Sequence, residues 1–301
     1  MAVVQNVVRP GAPKANPFTV CVVANPALES PWNSGAFLAD PIIGQLATFQ
    51  AAVAYIDAAL FGILPGQRES VLADPAIMPF VRVVSLYDDG LPTITSNSLV
   101  AQDGASNTLV ARRALFNAFL ANYGLKADVA YAVSSSPSHT RASAWFTTDD
   151  DTLPGVGFTL NGNQGFFHRF SNVVPGTIAI HSTASSLTAV HEFGHAISSY
   201  TNGKIMDLYV DSAAGFNNLL GRPIPPIFCD YNGRNFPSDR SRDGLGYPPT
   251  WQSYHSVLVD PACPAVMDNY WLSQKGPVAC LHDSVTKTFI RDRLIAKIGR
   301  P

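Results

Sequence analysis

The chain has 301 residues, enough for one large domain or two modest ones, and its 47% hydrophobic content can bury a sizeable core. Charged residues make up 14%, against the roughly 25% usual in soluble proteins. The formal charge is −2 and no Lys/Arg cluster is present, so nothing favours nucleic acid or a membrane surface as partner. The most apolar stretch, Ala51 to Leu64, is broken by Asp57 and falls short of the ~20 residues a membrane span needs. The opening MAVVQNVVRPGAPKANP lacks a charged segment followed by an apolar one, so no signal peptide is read there. Cys21, Cys229, Cys263 and Cys280 form no C-x-x-C pair, which argues against a thiolate zinc site. The last three allow one disulfide or are buried thiols.

In chain order, Phe18 to Val23 predicts a buried strand, short, β-branched and bounded by Pro17 and Pro26. Ile43, Leu46, Phe49, Val53, Ile56 and Leu60 recur at helical spacing, predicting a helix from Ile42 to Leu64 that Pro65-Gly66 closes. Phe80 to Leu86 reads as a second strand, with Asp88-Asp89-Gly90 as its turn. Thr108 to Tyr123 reads as a helix with Leu109, Leu115, Phe116 and Phe119 on one side and Gly124 at its end. Strands are expected near Val129 to Val133, Ala142 to Thr147 and Thr177 to Ile180. A helix beginning at Ser185 or Ser186 follows, stopped by Asn202-Gly203. Gly221 to Pro264 is rich in Pro, Gly, Asn and Asp and carries six aromatics, which suits the mouth of a cleft or an irregular packed cap. Asp283 to Ile298 predicts a closing amphipathic helix. The alternation is that of an α/β protein, and no Gly-rich phosphate loop follows any strand.

The chemistry concentrates in His191-Glu192-Phe193-Gly194-His195. Histidines four apart on a helix share a face one turn from each other, so two imidazoles can take one Zn²⁺ at about 2.0–2.1 Å each. Glu192 points aside from the metal but within reach of a metal-activated water, as a general base would. With seven His and three Glu in the chain, chance placement gives H-E-x-x-H in roughly one such sequence in a thousand. The bland alternative is a helix whose two histidines are satisfied inside the core. Catalytic zinc has three protein ligands. Ser198 and Thr201 occupy the positions where the extended metzincin pattern carries Gly and His, which excludes that version. Asp207, Asp211 and His255 are the candidates for the third ligand.

HEFGH followed by a turn and Asp207-Leu208-Tyr209 resembles the metallopeptidases of the immunoglobulin A peptidase type, in which the Asp of an Asp-Glu-Tyr after the second His is the third ligand. The spacer to Asp207 is longer here than in the family. The resemblance extends to Val81-Arg82-Val83-Val84-Ser85, to Ala111-Arg112-Arg113 opening a helix, and to Ile178-Ala179-Ile180 before the motif. Pro264-Ala265-Val266-Met267 looks like a Met-turn, the turn that sets a Met beneath the ligating imidazoles; ordinary core packing is the other reading of Met267. Aspzincins are a weaker match. The resemblance implies Zn²⁺ held by His191, His195 and Asp207, with Glu192 as catalytic base. It also implies a protein or peptide substrate and a secreted setting.

The fold expected is an α/β zincin-like, metzincin-like catalytic domain over 1–301, with a mixed twisted sheet and an active-site helix. It divides into an N-terminal subdomain (16–203) and an irregular C-terminal one (204–301). The function expected is zinc-dependent peptide-bond hydrolysis by a monomer. The rivals are a non-catalytic zinc-binding protein that recognises a protein or glycan, and a zinc hydrolase of non-peptide amides. Asp149-Asp150-Asp151 reads as a solvated loop before a Ca²⁺ site. Tyr209 and Tyr270 are candidate oxyanion donors, and His181, at a strand end, is a candidate substrate contact. His139, His168 and His282 receive no role.

Overall fold

In the computed structural model the described residues are 3–12, 16–62, 70–145, 156–160, 163–167, 175–197, 236–237, 252–253, 266–267 and 284–299. Four strands run parallel at the centre of the main sheet. They are β2 (Phe18–Ala24), β5 (Val81–Asp88), β8 (Val129–Ser134) and β12 (Gly176–His181), in spatial order β5-β2-β8-β12. β2 and β8 are buried at every position, which is why they read as unbroken apolar runs. Antiparallel strands form the two edges: β1 (Val3–Arg9) beside β5, and β9 (Ser143–Trp145) beside β12. A second sheet holds β3 (Ala27–Glu29), β4 (Phe37–Ala39), β6 (Val100–Gln102) and β7 (Leu109–Ala111), in the order β4-β3-β6-β7. Two further pairs are antiparallel ribbons, β10 (Val156–Leu160) with β11 (Asn163–Phe167), and β13 (Phe236–Pro237) with β14 (Gln252–Ser253). The protein is therefore mixed α/β with two mixed sheets.

Each face of the main sheet has its own core. On one side, helices α1 (Leu46–Leu60), α3 (Ser186–Ile197) and α4 (Ser284–Ile298) bury Phe49, Ile56, Leu187, Phe193, Ile290 and Leu294 against Val20, Val22, Tyr131 and Ile178. On the other, α2 (Phe116–Ala121) and the second sheet pack Phe116, Leu120, Leu28 and Leu109 against Cys21, Val84 and Ala132. Arg291 on α4 pairs with Asp74 at 2.9 Å, and Lys297 with Asp128 at 2.9 Å, tying the closing helix to the sheet side. Among the described residues no helix is long and apolar enough to cross a membrane.

A polar knot joins the carboxyl ends of β2 and β8. Asp40 is buried and accepts hydrogen bonds from Ile42 N, Ser135 N and Asn25 Nδ2, while Asn25 Oδ1 accepts from Leu99 N and Val100 N. Burial pushes the Asp40 carboxyl above the ordinary range, with these hydrogen bonds opposing the shift.

Two expected elements differ. The helix expected over Thr108 to Tyr123 is instead β7, a 3-10 turn at Arg113–Leu115, and then α2. Ala111-Arg112-Arg113 therefore ends a strand before it starts a helix. The β-branched Val110 finds a strand partner in Ala101, and Arg112 leaves helical dihedrals to meet the buried Glu29 at 3.1 Å, so tertiary pairing overrides the helical spacing. The first helix begins at Leu46 rather than Ile42, because Asp40 and Ile42 hold Ile42 to Gln45 in turns. The expected subdomain boundary after residue 203, the Pro65-Gly66 stop and the Asn202-Gly203 stop lie outside the described residues.

Candidate metal centre

Helix α3 follows the carboxyl end of β12 and begins at Ser186, where the sequence predicts a helix start. Ser185 is its N-cap, its Oγ accepting from Thr188 N at 3.2 Å. The Ser186 N–H donates to Tyr55 Oη from α1, so α1 also satisfies the first turn. Leu187, Val190, Phe193 and Ile197 hold the helix in the core, with Phe18 edge-on to Phe193 at 6.3 Å. Gly176 at the start of β12 lies so close that a Cβ there would overlap the Ala196 carbonyl. The last turn, which carries His195, thus rests directly on strand backbone.

His191 is 4% exposed and Glu192 8% exposed, whereas His195 is half-buried. The His191 and His195 rings stand nearly perpendicular, at 84°, with their Nε2 atoms 3.3 Å apart. His191 Nδ1 lies 2.7 Å from the Val266 carbonyl oxygen. A carbonyl only accepts, so Nδ1 carries a proton, and in the neutral ring the lone pair is on Nε2 of His191. That carbonyl belongs to the residue before Met267, and both Val266 and Met267 are fully buried in the core cluster that includes α3 and α4. Sequence reasoning picked out Met267 but missed the Val266 carbonyl, a backbone atom that leaves no mark on side-chain spacing.

Beneath the helix, Tyr131 in β8 is fully buried and donates from its hydroxyl to the Ala189 carbonyl at 2.8 Å. Burial, and then the nearby Glu192 carboxylate, hold the Tyr131 hydroxyl well above its ordinary pKa, so it stays a neutral donor. Its signal in the sequence is a lone Tyr within an otherwise apolar Val-Ala-Tyr-Ala-Val strand.

Two imidazoles each about 2.0–2.1 Å from a tetrahedral ion place their nitrogens about 3.3–3.4 Å apart. The observed Nε2 separation fits that requirement, and it equally fits a hydrogen bond between the two rings, the core-satisfied alternative; the carbonyl partner of His191 is the usual second contact of a ligating histidine. Among the described residues no group of three or more His, Cys, Asp and Glu side chains that would hold a metal comes together. Asp207, Asp211 and His255 lie outside the described residues, as do Asp149-Asp150-Asp151, His168, Tyr209, Tyr270, His282, Cys229, Cys263 and Cys280. Cys21 is a free thiol in the core, pushed up to about 12 by burial. His181 is tied at both ring nitrogens, to Thr183 Oγ1 at 2.8 Å and the Ser136 carbonyl at 3.1 Å. It serves as a loop clamp at the end of β12. His139 is likewise engaged, at 2.8 Å from Ser138 Oγ and 2.9 Å from the Asp103 carbonyl.

No protein-family model matches the chain, and no curated protein matches it. The functional reading therefore rests on the site itself.

Proposed function

We propose that this chain is a zinc-dependent endopeptidase of zincin-like fold, with zinc held by His191, His195 and Asp207 and with Glu192 as general base. The observation that carries the reading is the pair of Nε2 atoms 3.3 Å apart, one of them fixed as a lone-pair donor by Val266. The motif helix crossing a mixed sheet, and a buried Met-bearing turn touching the first histidine, are the parts that the resemblance to the immunoglobulin A peptidase type implies. When bound, zinc acidifies water and polarises the carbonyl under attack.

The chain's own residues supply the rest. Val266 holds His191 in one tautomer and one orientation. Tyr131 pins the helix two residues before His191 and three before Glu192, at Ala189. Glu192 takes the proton of the attacking water and returns it to the leaving amine, and the buried surroundings strengthen its interactions there. Substrate is a peptide backbone presented to the exposed side of His195.

The test is Glu192→Gln. Zinc content is expected to stay at the parent level, because Glu192 is not a ligand, while cleavage of a broad peptide library falls by at least a hundredfold. Cleavage preserved in that variant would defeat the assignment. Zinc bound by a wild-type protein that cleaves no peptide would place the chain with the non-catalytic binding proteins.

A further inference from the structure

The outer side of β1 is an open sheet edge. β1 pairs with β5 from Val3↔Asp88 to Val7↔Val84, and among the described residues no strand lies on its other side. Sheet edges in proteins that stay monomeric are commonly guarded by Lys, Pro, a bulge or a covering loop. From Val3 to Val7 none of these is present among the described residues: the bulge comes only after Val7, and Val3 and Val7 are 57% and 52% exposed. The strand's one charge, Arg9, is turned inward, with a bidentate bond to Asp57 at 2.7 and 2.9 Å and its guanidinium 3.6 Å over the Phe61 ring. That anchor ties the end of β1 to α1 without covering its outer side.

The pattern along the edge is symmetric. Val3, Gln5 and Val7 lie opposite Asp88, Leu86 and Val84, and so share the sheet face on which Leu86 and Val84 enter the second core. We propose that β1 pairs antiparallel with β1 of a second copy about a two-fold axis at Gln5, joining two six-stranded sheets into one. Strands related by such an axis set residues opposite each other on the same face only when the two numbers sum to an even value. Centred on Gln5, each Val3 meets a Val7 and the two Gln5 amides meet each other. Centred on Asn6, Gln5 would face Val7 and the bulged Val8 would enter the ladder, so the Gln5 register is favoured. An apolar–amide–apolar row that matches its own reverse, with no free charge, selects a second copy over a charged partner strand. A contact between two such short strands is expected to bury less than the roughly 1,600 Å² of a standard interface, giving a weak dimer in exchange at micromolar concentration. This departs from the monomer expected from the sequence and is independent of the zinc reading.

Sedimentation of the full chain from about 5 to 500 μM brackets that affinity. The average mass is expected to rise toward twice 32.2 kDa. In the Val3→Lys/Val7→Lys variant it is expected to stay at the monomer mass with an unchanged melting temperature, both sites being exposed. Gln5→Cys, treated with copper–phenanthroline, is expected to form an inter-chain disulfide, since residues directly opposite have Cα atoms about 4.5–5.5 Å apart. Asn6→Cys, which meets its own copy only diagonally, is expected to cross-link at least tenfold less. Monomer mass across the whole range overturns the proposal, as does a dimer that survives the double lysine variant.

Discussion

Gly176 opens β12 against the last turn of α3, and an added methyl there would fall well inside contact distance of the Ala196 carbonyl. Both sides of that contact are backbone, so relief requires the helix end and the strand start to separate by on the order of 1 Å in a densely packed core. Gly176→Ala is therefore expected to cost about 1–3 kcal/mol, the range for overpacking. For a chain of this size that lowers the melting temperature by about 2–5 °C. The strain also falls one residue from His195, whose Nε2 must keep its 3.3 Å relation to His191. On the zinc reading, affinity falls by about tenfold to a hundredfold. Thermal unfolding in excess chelator measures the packing effect alone, and zinc titration against a competing chromophoric chelator measures the site. Gly104→Ala is the control: its added Cβ meets only the Pro31 side chain, at 3.4 Å, and should change stability by no more than about 0.5 kcal/mol. Wild-type stability and zinc affinity in Gly176→Ala would refute the account of how α3 is seated.

Asp40 binds its proton more tightly folded than unfolded, so its contribution to stability is greatest at low pH. It declines as pH rises from the unfolded value, about 3.8, to the raised folded value, and is level above that. Asp40→Asn should remove this slope in urea unfolding at a series of pH values. It should also cost about 1–3 kcal/mol, because an amide nitrogen would face the donor Nδ2 of Asn25, which Leu99 and Val100 hold in place. Ser185→Ala removes the N-cap of the motif helix and is expected to cost about 1 kcal/mol by the same assay, with Ser185→Gly costing less.

The elements that could be read from sequence are those whose pattern is set by burial alone. β2, β8 and the Thr177 to Ile180 part of β12 are apolar runs because neighbours cover both faces, and α3 shows caps, periodicity and motif together. Elements whose existence depends on a distant partner could not be read. β1 has Gln5-Asn6 at its centre and stands because β5 offers it a ladder, while Leu109 to Ala111 is a strand because Val100 to Gln102 lies beside it. The same division runs through the site. His191, Glu192 and His195 are close in sequence and legible by spacing. The Val266 carbonyl that orients His191 comes from 75 residues away, and the Tyr131 hydroxyl under the helix from another strand. Gly221 to Pro264 read as irregular, yet Phe236–Pro237 and Gln252–Ser253 pair within it, too short to leave a periodic trace.

The most direct measurement is the zinc stoichiometry of the purified full chain by inductively coupled plasma mass spectrometry, alongside His191→Ala, His195→Ala and Asp207→Ala proteins of unchanged circular dichroism. About one zinc per chain is expected, lost in each of the three variants. Loss in Asp211→Ala or His255→Ala in place of Asp207→Ala would move the third ligand and leave the centre standing. A folded wild-type chain that takes up no zinc at saturating metal, or one that keeps it with both histidines replaced, would contradict the account.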